Sequence, residues 1–135
     1  MATHSKRILA PGPAAAAALL FTAAAVAHHG TTAFDRSNPI VVSGVVQEFR
    51  WTSPHAWIVV DVPAAGKAAD ANAGQWAFEG ASIVVMVRNG WKSSSLRAGD
   101  RVSVLAAPRR DGTHSGEFLR VTLTDSGKLL QIAGQ

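Results

Sequence analysis

The most distinctive chemistry in this chain sits where an apolar leader ends. An alanine-rich stretch closes in Ala25-Val26-Ala27, with small residues at the two positions that signal peptidase reads, and His28 follows. Cleavage there leaves a free α-amine on a histidine. The amine and imidazole of such a residue chelate a metal together, and an imidazole arriving from the fold completes a T-shaped nitrogen set. Nitrogen donors suit Cu(II), which stands at the top of the affinity order for such sites. The candidate metal ligands are therefore His28, His29 and His55, with His114 in reserve, and copper is the expected ion. Zinc is the alternative, since three histidines are a familiar zinc set. Against both stands a plainer reading, in which His28 and His29 are solvated side chains of an N-terminal arm.

His55 follows Pro54 at the start of a β pattern. It is the best third ligand, and its competing role is a hydrogen bond to Asp35 or Glu48. His114 lies in RRDGTHSG, a sequence that reads as an exposed loop. A second candidate site is a ligand or partner face made of Trp57, Trp51, Arg50 and Glu79. Aromatic side chains on the binding face of a small barrel stack on planar ligands. Tryptophans in a domain this small more often fill the core, but alternation sets Trp57 with His55, away from the apolar row. Glu79 precedes Gly80 at a strand end, where the alternative role is a turn acceptor. No Ser/His/Asp spacing, phosphate loop or haem motif is present. The expectation is a binding module and not an enzyme.

Composition narrows the partners. The 135 residues carry a formal charge of +4, which falls to +2 when Lys6 and Arg7 leave with the leader. That is too weak a charge to imply nucleic acid. There is no cysteine, so neither disulfides nor thiolate chemistry enter. Residues 14–27 are too short and too weakly apolar to stay as a membrane anchor, since a span needs about 20 apolar residues. The expected organisation is a signal peptide over 1–27, an arm over 28–38 and one domain over 39–135, in the periplasm or secreted.

The elements that must position these residues are mostly strands. Pro39 to Trp51 is a long β-branched run interrupted by Gly44, which marks a bulge or bend and lets one strand serve two halves of a barrel. In His55–Val62, Ala56, Ile58, Val60 and Val62 face one way and His55, Trp57, Val59 and Asp61 the other. Residues 63–74 read as an exposed hairpin loop, and Gln75–Glu79 as a third strand. Ser82 to Gly90 predicts a short helix between an N-cap serine and a C-terminal glycine, with Ile83, Val84, Val87 and Trp91 on its apolar face. Arg101–Ala107 and Glu117–Thr124 are further strands, the latter with Leu119, Val121 and Leu123 inward, and Leu129–Ile132 forms a weaker hairpin arm. Three strands, a helix and two strands, with the first strand bent, is the order of a five-stranded OB-like barrel: an all-β fold with one short helix. A small open β-sandwich is the rival.

His28-His29-Gly30, Phe34-Asp35-Arg36, the run from Val45 through Trp51-Thr52-Ser53-Pro54-His55-Ala56-Trp57, Phe78-Glu79-Gly80, Gly90-Trp91, Leu96, Ala98-Gly99-Asp100 and Arg110-Asp111-Gly112 together resemble a family of small secreted bacterial proteins known only as a domain of unknown function. The likeness covers the whole chain after the leader. It implies export and a β-barrel, and no mechanism. Where that family has Ser after the paired histidines this chain has Gly30, and where it has Asn before the Pro-His pair this chain has Ser53; no histidine is lost. The functional expectation is an exported binding module holding copper through His28. Its rival is an accessory domain that contacts a periplasmic protein or a small ligand without metal.

Overall fold

A computed structural model describes residues 31–64 and 71–132. The expected signal peptide, its cleavage point, His28 and His29 lie outside them. After a single 3-10 turn at Thr31–Ala33, six strands and one α-helix follow in order: β1 (Ile40–Arg50), β2 (Trp57–Val62), β3 (Gly74–Glu79), α1 (Ile83–Arg88), β4 (Arg101–Pro108), β5 (Ser115–Leu123) and β6 (Leu129–Gln131). The sheet order is β3-β2-β1-β4-β5-β6, and a parallel pairing of β3 with β5 closes the first five strands into a barrel. This is the expected closed all-β barrel, not an open sandwich. Among the described residues no helix is long and apolar enough to cross a membrane.

The long first strand serves both halves. Residues 40–45 pair with β4, and residues 45–50 pair with β2. Gly44 stands at the changeover, where a Cβ would lie 2.2 Å from the Asp61 carbonyl oxygen. The register break itself falls between Val46 and Glu48, so Gly44 supplies close approach and the bulge comes just after it. Alternation in β2 holds as expected, with Ala56, Ile58, Val60 and Val62 buried and His55, Trp57 and Val59 half-buried on the outer side.

Two expectations about facing are corrected. In α1 the fully buried residue is Met86, while Val84 and Val87 are 61% and 57% exposed. The helix is only six residues long, and Met86 joins the core cluster of the strands, so contact with that core, not its own apolar periodicity, selects the buried side. Ser82 caps it as expected, and Gly90 follows the Asn89 cap at φ +81°. In β5 the inward residues are Phe118 and Val121, because a register shift opposite Leu105 and Ala106 makes Leu119 an extra residue. Leu119 and Leu123 are half-buried.

The core joins Phe78, Phe118, Trp91, Ile58, Val60, Val104 and Met86. Trp91 tilts against Phe118 and Phe49 at 5.3 and 6.1 Å, and its indole N–H donates to the Gln131 carbonyl.

The chain before β1 is tied to the barrel from Thr32 onward. Phe34 is buried and forms an antiparallel bridge with Arg109, whose guanidinium lies 5.9 Å from the ring centre. The Asp35 N–H donates to Pro108 and the Arg110 N–H to Ala33.

Candidate functional site

His55 stands at the end of the β1–β2 connection, just before Trp57 opens β2. Cross-strand register then decides what it meets. Trp57 pairs with Glu79 at the end of β3, and with Arg50 at the end of β1. Arg50, Trp57 and Glu79 thus form one row across three strands on the outer face, because directly opposed residues in an antiparallel pair leave the sheet on the same side. His55, two residues before Trp57, leans onto that row, and its Nδ1 contacts Glu79 Oε1. The predicted partners Asp35 and Glu48 are engaged elsewhere. Asp35 accepts from the Ser37 N–H and from Asn38 and Arg110, and Glu48 accepts from Arg50.

The burial of the pair is unequal. The Glu79 side chain is 8% exposed and that of His55 39%. A buried carboxylate without a partner is costly, so His55 serves first as the group that satisfies Glu79. The contact also fixes the ring. When Glu79 is ionised it only accepts, so Nδ1 is the nitrogen that donates to it, and in a neutral imidazole of that tautomer the lone pair resides on Nε2. No described residue hydrogen-bonds that Nε2. A histidine held by a carboxylate through one nitrogen, with the other left for a ligand, is the arrangement in which proteins orient metal-binding imidazoles.

Sequence reasoning missed the neighbouring acid. Glu117 on β5 is the Cα partner of Glu79 across the parallel seam. Glu79 and Glu117 are the two buried charged residues among those described. Arg36 binds both oxygens of Glu117, Nε at 2.9 Å and Nη2 at 2.7 Å. The contacts run from His55 to Glu79, and across the β3–β5 seam from Glu117 to Arg36. Arg36 and Glu117 are 81 residues apart, and no local pattern links them.

The other candidates separate from this centre. Trp51 lies edge-on to Phe49 at 5.7 Å and packs against the core instead of joining the Trp57 row. His114 is not a loosely solvated loop residue. It stacks on Trp76 at 4.7 Å, 7° from parallel, and its Nε2 lies 2.9 Å from the Ala71 carbonyl oxygen. Trp76 is three residues, or about 10 Å of strand, from Glu79. His28 and His29 lie outside the described residues. Among the described residues no group of three or more His, Cys, Asp or Glu side chains is arranged to hold a metal. An apolar hollow of about 220 Å³, lined by Gly44, Val45, Pro63, Arg101 and Val102, opens near the far end of β2. It holds no group that could do chemistry with His55, so the His55–Glu79 surface is the better candidate.

Comparison with known proteins gives a family and no activity. The chain matches the model of a family of unknown function, DUF6152, over residues 17–118, and it belongs to that family. His28, Arg36, His55, Glu79 and Glu117 all fall inside the match. No curated protein and no solved structure matches the chain.

Proposed function

We propose that this member of DUF6152 is an exported, non-catalytic binding module that holds copper, with His55 as the ligand supplied by the barrel and His28 as the ligand supplied by the processed N-terminus. The observation that carries the reading is the contact of His55 Nδ1 with buried Glu79, which leaves Nε2 as the nitrogen without a partner among the described residues. One imidazole is too few for a tight site, so the α-amine and ring of His28, with His29 in support, complete the set. The A-x-A sequence before His28 supports both the export and the free amine.

Copper titration of protein that begins at His28, beside the same protein with one extra N-terminal residue, tests this. The extension blocks chelation by the amine, and the expected result is a loss of at least tenfold in affinity. Equal and weak binding by both proteins refutes the N-terminal site.

A second reading rests on the row of Arg50, Trp57 and Glu79. A half-buried indole between an exposed guanidinium and a carboxylate is a surface on which a periplasmic partner or a planar small ligand could dock without metal. Copper binding separates the two: the first reading expects it in the wild type and in Trp57→Ala alike, and the second expects it in neither.

A further inference from the structure

We infer that Arg36 is a positioning residue for His55, acting through the two buried glutamates while touching neither His55 nor Glu79. Glu79 and Glu117 are partners across the parallel β3–β5 seam, so their backbones lie about 5 Å apart and their side chains leave the same face. Two ionised carboxylates side by side, each mostly withdrawn from water, repel one another, and each needs its own counter-group. Arg36 takes both oxygens of Glu117. That matches the charge of Glu117 and leaves Glu79 to be engaged by His55.

The arm holds Arg36 in place for this task. Phe34 is buried, the backbone of Ala33 and Asp35 bonds to Arg110 and Pro108, and Arg110 reaches Asp35 at 3.3 Å. The planar guanidinium fork suits a carboxylate in a way a lysine ammonium cannot reproduce. Without it, Glu117 is an unmatched buried charge beside Glu79, and the two carboxylates move apart or compete for His55. Either outcome releases the single ring orientation of His55.

This inference deepens the metal reading and rests on it for its purpose, yet its main readout needs no metal. Long-range proton–nitrogen NMR of the His55 ring is recorded for the metal-free wild type, Arg36→Gln, Arg36→Lys and the double variant Arg36→Gln with Glu117→Gln. The wild type should show one tautomer with the proton on Nδ1. Arg36→Gln should show mixed or exchange-broadened ring signals, and Arg36→Lys an intermediate spectrum. The double variant should return to the wild-type pattern, because a neutral amide in place of the Glu117 carboxylate has no charge to match. Unchanged ring signals in Arg36→Gln overturn the proposal. So does a double variant whose ring stays altered, which decides the matter even if Arg36→Gln fails to fold. In copper titrations Arg36→Gln should lose about tenfold in affinity and the double variant should regain it. If the ring responds as stated while no variant binds copper, the positioning role stands and the metal reading falls.

Discussion

Trp57 lies directly opposite Glu79 across the β2–β3 pair, and that register carries His55 onto a carboxylate 24 residues away. The hairpin therefore builds the centre. A shift of one residue would turn Glu79 into the core and leave His55 without a partner. The consequences of this arrangement can be measured one at a time.

Removing the histidine should cost more than removing the pair. His55→Ala leaves Glu79 buried beside Glu117 with no partner, a loss of about 1–3 kcal/mol for a stranded polar group. Adding Glu79→Gln removes the stranded charge and should recover much of that loss. Urea denaturation of the two variants checks the order, and a double variant less stable than His55→Ala would refute it.

The bend in β1 should tolerate no side chain. In Gly44→Ala the new Cβ meets the Asp61 carbonyl at 2.2 Å and the Val60 side chain at 2.8 Å. Backbone cannot yield cheaply there, and overpacking of this kind costs about 1–3 kcal/mol or more. A large drop in the denaturation midpoint is expected, with near-ultraviolet dichroism reporting loosened tryptophans.

Tryptophans 91 and 57 should separate structure from surface. Trp91 is 1% exposed amid Phe49 and Phe118, and Trp91→Ala should cost about 3–5 kcal/mol. Trp57 is half-buried on the outer face, and Trp57→Ala should cost about 1 kcal/mol. Comparable losses at the two positions would mean that Trp57 is a core residue and no binding surface.

The N-terminal arm should loosen in acid. The Asn38 amide donating to Asp35, aided by the Arg110 guanidinium, holds the Asp35 carboxyl below its ordinary value of 3.8. Its folded-state value is the depressed one, so its contribution is fully present above pH 3.8 and is lost as pH falls through that lower value. Amide protection at residues 34–38, corrected for intrinsic exchange, should fall in that window, and Asp35→Asn should remove that fall. Protection that stays constant through this window in the wild type would contradict this.

The sequence was informative wherever side chains alternate along one strand. The inward row of β2, the changeover at Gly44 and the capping serine of α1 all follow from local chemistry. The buried face of α1 does not, because Met86 is buried among core residues supplied by distant strands. Leu119 breaks the pattern of β5 through a bulge that depends on its pairing with β4. For the candidate site, alternation already places His55 and Glu79 on outer faces at the ends of neighbouring strands. Their contact additionally needs the β2–β3 register, which the length of the loop between them leaves open. Glu117 carries no local signal, since only barrel closure sets it beside Glu79.

The central claim, that His55 presents Nε2 to a copper ion also held by His28, is tested most directly by paramagnetic resonance of the Cu(II) protein that begins at His28. Hyperfine splitting counts the bound nitrogens. His55→Ala should lose one imidazole nitrogen from the spectrum and at least tenfold in affinity. An identical spectrum and affinity in His55→Ala would contradict the claim, leaving the histidine as a partner for Glu79 and nothing more.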